Sequence, residues 1–505
     1  MGFNDLNRTK ISPGGSQKVE ITGPASAFGE VTVEQPTPVA QGDFVYGIIN
    51  SQTFTTSSFA SGSISVVSGN AVLESGNNPY GSATVLLRRG LDYRPGQGSL
   101  MRATARFDTP RTGSAQFVGA GSAESGYFVG YFADQFGVLH SQRGSREARK
   151  YTVTAAAGTA NLTVTLDGDS IVVPVSASTI VSTAYQLSNA DYSQVGKGWL
   201  TDIISGSVFF LSARSGTEYT GSYSITGGTI AGTFTRVMSG QNQVNNFTPS
   251  SSFNIDKLDG TGPTGMILDP SKGNVFEIGI QYLGYGNAKF GIEDPETGVI
   301  APFHMIKNAN ARTTTVLKNP NLNILATSTN IGGTQNTALK TASMAAFTEG
   351  QVKFYDPKFA KAFSFSGINE SSYVPLATFK VNRIFNNQSC FGEMDILRLA
   401  GSNETNNKTL IVALFLDAEV SGGPDFQFID EQQSIVSIAE FDPSTDTFVG
   451  SPIPFYQLVV GSESSEKEDL TSLSLISGVG RTVTIGIKTS GAVTGEVSIN
   501  WFEQQ

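Results

Sequence analysis

Two histidines are all the imidazole this chain has, and each sits in a setting that chemistry could use. His140 lies in the stretch "GSAESGYFVGYFADQFGVLHSQRG", among glycines, aromatics and acids. His304 closes a similar stretch, "NVFEIGIQYLGYGNAKFGIEDPETGVIAPFHM", which brings Glu293, Asp294 and Glu296 near it in sequence, as Asp134 is near His140. A histidine at its ordinary pKa is a general base, and a carboxylate beside it could orient it. A base still needs a nucleophile to act on. No serine stands in a G-x-S-x-G elbow, and neither C-x-x-C nor H-E-x-x-H occurs. The reading from the residues is therefore structural: two histidines hydrogen-bonded at sandwich edges, with no catalytic residue assigned.

Three other motifs invite chemistry. "GTGPTG", residues 260–265, matches the dinucleotide fingerprint, but Pro270 breaks any helix after it, so it reads as a loop. The basic cluster "RGSREARK", with Arg143, Arg146, Arg149 and Lys150, has the charge to grip phosphate or sulfate; it reads as a solvated loop. Carboxylates are plentiful, and a glycosidase pair is defined by a spacing in space that sequence does not supply. Cys390 is the single cysteine, which excludes an internal disulfide and a cysteine-built metal site. Two distant histidines leave no set for zinc or iron, and no cofactor or metal is expected.

The elements that must position these residues are strands. Charged residues make up 15% of the 505, below the roughly 25% usual in soluble proteins, and 56 glycines accompany many Ser, Thr, Val and Phe. That composition predicts an all-β fold of mainly antiparallel β-sandwiches. The net charge of −10 argues against binding along a nucleic-acid backbone. No apolar run approaches about 18 residues, so membrane insertion is not expected. The start of the chain has no signal-peptide core, which predicts synthesis in a cytoplasm.

The predicted organisation has four parts. Residues 1–42 form an extended arm, rich in Pro and Gly, that docks on a partner. Residues 43–150 and 243–348 make a split β-sandwich, and 349–505 a C-terminal β-sandwich. Residues 151–242 are a small ββαββ insert, separable from its host. "LTVTLDGDSIVVPV" is its hairpin, turning at Asp167-Gly168. Ile180, Ala184 and Leu187 follow at helical spacing, with Ser176 or Ser178 as the cap. "TALKTASMAAF" is expected to make one or two helical turns, and "GSESSEKEDLTS" a charged, exposed loop.

These stretches also carry a resemblance. "AFGEVTVEQPTPVAQGDFVYGI", "LDYRPGQGSLMRATARFDTP", "GYFVGYFADQFGVLHSQRG" and "GNVFEIGIQYLGYGNAKFGIEDPETGVIAPFHMIKNAN" resemble a family of virion structural proteins from tailed bacteriophages, with relatives in large DNA viruses. Residues 151–242 resemble the "V-T-L-x-G … A-G-W" module inserted there; here Lys197 precedes Gly198-Trp199. The likeness covers most of residues 27–350. It implies a non-enzymatic particle component, located in the virion. The expected role is in a tail, baseplate or fibre, with capsid decoration or a minor capsid protein as the alternative. Its expected partners are other virion proteins and further copies of itself, a trimer being favoured, with a host surface glycan as a third. A carbohydrate-binding or carbohydrate-cleaving spike is the rival class, since 33 Phe and 15 Tyr supply stacking rings.

Overall fold

A computed structural model describes residues 10–11, 17–18, 36–91, 93–350, 358–471 and 475–504. The described residues are built almost wholly from antiparallel sheets, with one α-helix. The all-β expectation holds.

The first sandwich packs a seven-stranded sheet on a six-stranded one. The larger runs in the order Val244–Pro249, Gln135–Gln142, Gly126–Phe132, Ser114–Gly121, Asn323–Asn330, Ser82–Leu87, Phe54–Phe59. The smaller runs Ile300–Ile306, Ala288–Glu293, Asn274–Ile280, Ser99–Ala105, Ser343–Thr348, Thr37–Asp43. Alternation explains their shared core. Met101, Ala103 and Ala105 point inward from one strand, Phe276, Ile278 and Ile280 from the next, and Ala288, Phe290 and Ile292 from a third. From the larger sheet come Ala83, Val85, Leu87, Val118, Ala120 and Val129.

Several local expectations change. Thr37–Asp43, whose residues up to Gly42 were predicted within the arm, pairs with Ser343–Thr348 and so extends the six-stranded sheet; most of residues 1–35 lie outside the described residues. "TALKTASMAAF" is not helical. It is split between strands Ala338–Thr341 and Ser343–Thr348, whose alternate residues Leu339, Thr341, Met344, Ala346 and Thr348 are buried. Alternation with a period of two overrode the helix-forming alanines. "GSESSEKEDLTS" is not a loop throughout. Ser464–Asp469 is a strand on Glu393–Asn403, and its exposed charges suit a sheet edge that must not recruit other chains.

The insert contains the expected ββαββ core and more. The hairpin Gly158–Leu166 and Asp169–Ala177 turns at Asp167 and Gly168, both at positive φ (55° and 91°), as a type I′ turn requires. Helix Ile180–Asn189 follows, then the hairpin Trp199–Ile204 and Ser207–Ser215. Arg146–Ala155, Ser224–Thr226 and Ala231–Met238 complete two sheets around it. The cap is Thr179, not Ser176 or Ser178. Its hydroxyl accepts from the Ser182 N–H at 3.1 Å, and Ser182 reciprocates in a capping box. Ala184 and Leu187 are buried, whereas Ile180 is 40% exposed.

The C-terminal sandwich pairs a six-stranded sheet, centred on Val374–Val381 and Thr482–Thr489, with a sheet of Lys358–Ile368, Val493–Gln504, Glu393–Asn403 and Ser464–Asp469. Trp501 and Phe379 fill its core. The insert and this sandwich share packing, because Phe426 and Ala439 belong to the insert's core cluster.

Candidate functional site: an arginine-lined cavity

Both histidines are buried in the packing of the first sandwich. His140 faces Tyr127 across the strand pair and stacks on it, ring centroids 4.6 Å apart. Its Nε2 donates to the Val316 carbonyl at 2.9 Å, which assigns the proton to that nitrogen. Burial lowers its pKa to about 4. His304 lies against Phe253 and Phe290, and its Nδ1 accepts from the Asn254 N–H at 3.3 Å. Burial lowers it to about 4 as well. Both are rings built into packing and neutral near pH 7.

The other sequence candidates scatter. "GTGPTG" is a loop: Asp256 accepts from the Thr264 N–H and hydroxyl and from the Leu258 N–H, and a Cβ on Gly262 would lie 2.0 Å from its carboxylate. Asp294 organises an exposed turn, taking the Glu296 N–H at 2.9 Å and the Thr297 hydroxyl at 2.9 Å. "RGSREARK" departs from the solvated loop expected of it, since Arg146 to Lys150 open a strand. Its cations separate. Arg143 reaches Thr314, Arg149 pairs with Glu147 over the Tyr223 ring, Lys150 lies over Phe209, and Arg146 turns inward.

Where Arg146 points, three parts of the chain converge on a cavity of about 740 Å³. Its size falls within the few hundred to about 1,000 Å³ typical of small-ligand sites. The floor is the outer face of the seven-stranded sheet. The same alternation that sends Ala83, Val85 and Leu87 into the core sends Ser82, Thr84, Leu86 and Arg88 to the cavity. On the adjacent strand Ile324 and Ala326 go inward, while Asn323, Leu325, Thr327 and Thr329 go outward. Phe117, Phe128 and Leu139 add an apolar patch. Thr84 and Thr327 share a hydroxyl–hydroxyl bond of 2.7 Å on this floor.

The walls come from elsewhere. The insert supplies Leu200, Leu211, Ala213 and Arg214; the C-terminal sandwich supplies Arg383, Cys390, Glu393 and Arg481. Buried polar contacts lock these walls in place. Asp202 of the insert pairs with the Lys380 ammonium and accepts the Arg383 N–H at 2.7 Å. The Lys380 ammonium also lies 4.3 Å from the Phe426 ring centre. Burial lowers the Lys380 pKa, and Asp202 opposes that shift. Arg214 ties the insert to the first sandwich through the carbonyls of Asn330 at 2.8 Å and Tyr80 at 2.9 Å. Ser389 donates to Glu124, joining the C-terminal sandwich to the same sheet. Cys390 stays a thiol, pushed up to about 12 by burial.

Sequence reasoning missed this site, although one signal was present. "SATVLLRRG" alternates cleanly through Arg88, yet its outward residues are Ser, Thr, Leu and Arg where a solvated face would carry more charge. The strand Ser114–Gly121 is buried at all eight positions, the mark of a sheet covered on both sides.

No family model matches the chain, and no curated protein matches it. Among solved structures, the cellulose-induced protein Cip1 overlaps 61% of this chain and 95% of its own, at 9% identity and a TM-score of 0.26. The lectin-like defence protein arcelin-5 of Phaseolus vulgaris overlaps 62% and 100%, at 6% identity and 0.23. A binding domain of botulinum neurotoxin DC in complex with SialylT overlaps 88% and 98%, at 9% identity and 0.26. At TM-scores this low the overlaps assign neither a fold family nor a function to this chain.

Proposed function

We propose that this chain is a non-enzymatic attachment protein that binds a saccharide in the cavity between its three β units. The observation that carries the reading is the make-up of that cavity. A sugar presents apolar C–H faces and a rim of hydroxyls. The floor answers with Phe117, Phe128, Leu139 and Leu325 beside Thr84, Thr327 and Thr329, and guanidinium donors stand in the walls. Aromatic faces with a few fixed donors are how proteins hold such amphipathic ligands. The sequence resemblance of residues 27–350 supports a particle-borne setting, in which the protein serves a virion as an attachment or surface component and assembles with copies of itself.

Binding without cleavage is the expected behaviour. Glu218 and Glu393 are the two carboxylates among the described lining residues, and Glu393 Oε1 already accepts the Gly90 N–H at 3.1 Å. The test is a saccharide array read alongside chain-length analysis of the bound polymers. Saccharide capture that is lost in Thr84→Tyr, which fills the floor, would support the reading. Shortened polymers, with shortening abolished by Glu218→Gln or Glu393→Gln, would replace it with a glycosidase. Particles lacking this protein that still attach to the host normally would remove the attachment role.

A further inference from the structure

The charge of the cavity runs against the charge of the chain. The whole sequence carries −10, yet among the described residues five arginines line the cavity, Arg88, Arg146, Arg214, Arg383 and Arg481, against Glu218 and Glu393. Four of the five form no carboxylate ion pair among the described residues; Arg481 pairs with Asp417. Arg214 is occupied by carbonyls, and Arg383 Nε by the Thr201 carbonyl at 2.9 Å. Arg146, Arg214 and Arg481 each leave the Nε buried without a partner, but Arg88 goes further. It is only 8% exposed, and its Nε, Nη1 and Nη2 are buried without a hydrogen-bond partner.

An unpaired buried cation is costly, and here its neighbourhood raises the cost. Burial first and like-charge repulsion from Arg481 second lower the Arg88 pKa to about 10, against the opposing pull of Asp417. The guanidinium is nonetheless protonated at neutral pH. A buried charge is normally retained with a partner or lost. Its position explains why it persists. Arg88 ends the outward row Ser82, Thr84, Leu86, Arg88, so it stands at the cavity wall beside the proposed saccharide floor. Planar guanidinium groups suit carboxylate and sulfate oxygens, which they can engage through two parallel N–H donors.

We propose that the ligand is an acidic saccharide whose carboxylate or sulfate group pairs with Arg88 inside the cavity. This rests on the saccharide reading above and adds the charge of the ligand. Calorimetry on the full chain would compare three probes of matched length: an oligogalacturonate, a sulfated dextran oligomer and a neutral dextran oligomer. The expected result is that one acidic probe binds on the order of 10–100-fold more tightly than the neutral one, the factor a charged hydrogen-bonded contact supplies. Which acidic probe wins distinguishes carboxylate from sulfate. Arg88→Met should bring the affinity of the preferred acidic probe down to that of the neutral one in the same variant, and keep or raise the melting temperature, because it removes an unpaired charge. Arg88→Gln is the second variant if the methionine does not fold. Thr84→Tyr should abolish binding of all three.

Equal affinity for acidic and neutral probes would overturn the inference while leaving the saccharide reading standing. So would acidic binding that survives Arg88→Met or Arg88→Gln, or that survives Thr84→Tyr and therefore lies elsewhere on the surface. Failure of all three probes to bind would bring down the saccharide reading and the inference with it.

Discussion

The two sheets of the first sandwich share one core and present unlike outer faces. On the six-stranded sheet the outward residues include Arg102, Glu277 and Lys289. Arg102 Nε meets Glu277 at 2.7 Å with its side chain 46% exposed, an ordinary solvated pair. On the seven-stranded sheet the outward residues include Phe117, Phe128, Leu139 and Leu325, all buried, with Thr84, Thr327 and Arg88 around them. One face ends in water; the other is roofed by the insert and the C-terminal sandwich. The inward residues of the two sheets are alike, so the inward pattern tells nothing about which sheet will be covered. The outward residues do, because a covered face must be apolar or hydrogen-bonded and a bare one must be solvated.

The harshest way to break this contrast is to remove the insert's share of the roof. Replacing residues 152–239 with a Gly-Ser linker should leave the first sandwich's core intact but uncover Phe117, Phe128, Leu139 and Leu325. The expected product is folded by circular dichroism, binds a hydrophobic dye that the full chain does not, and lacks the saccharide site. No rise in dye binding would mean the roof covers less than its packing implies.

A single buried substitution should have the next largest effect. Asp202→Ala leaves the Lys380 ammonium buried without its carboxylate, a loss of about 3–5 kcal/mol, measurable as a lower urea midpoint. Combining Asp202→Leu with Lys380→Met should recover most of it, since replacing both members of a buried pair is often neutral. If the double change is as damaging as the single one, the pair is not what holds the insert to the C-terminal sandwich.

Acid sharpens the comparison from the core side. Both histidines titrate at about 4 in the folded chain, below the ordinary 6.5. The unfolded chain therefore binds more protons between those values, and stability falls as pH drops from about 6.5 toward 4. The slope is at most about 1.4 kcal/mol per pH unit for each histidine. Melting temperatures of the His140→Gln, His304→Gln double variant should fall less steeply over pH 6.5–4.5 than those of the unaltered chain. Parallel curves would place the histidines in a less buried setting.

The mildest change tests the bare face. Arg102→Ala should shift stability by less than about 1 kcal/mol, because the Glu277 pair is exposed to solvent. A large loss there would mean that this face too is covered by something that binds it.

Much of the local architecture was legible residue by residue. Asp167-Gly168 announces its hairpin because few other pairs tolerate two positive φ values. Phe276, Ile278 and Ile280 announce an inward face by alternation alone. The misreadings were at marginal signals. Thr179 took the cap from Ser176 and Ser178 because its own partner, Ser182, sits three residues on. Ser464–Asp469 became a strand because Glu393–Asn403 offered a ladder to it, which its charges did not forbid.

What the sequence determined by itself is the class and the periods: β almost throughout, the insert's short helix, and a single cysteine with no second one to pair with. Those follow from local sterics and composition, which act within a few residues. The cavity could be decided only by tertiary structure. Arg88, Arg214 and Arg383 are more than a hundred residues apart in sequence, and each is unremarkable where it stands. Only the packing of three β units against one sheet face brings them to a common wall and leaves the Arg88 guanidinium buried there without a hydrogen-bond partner.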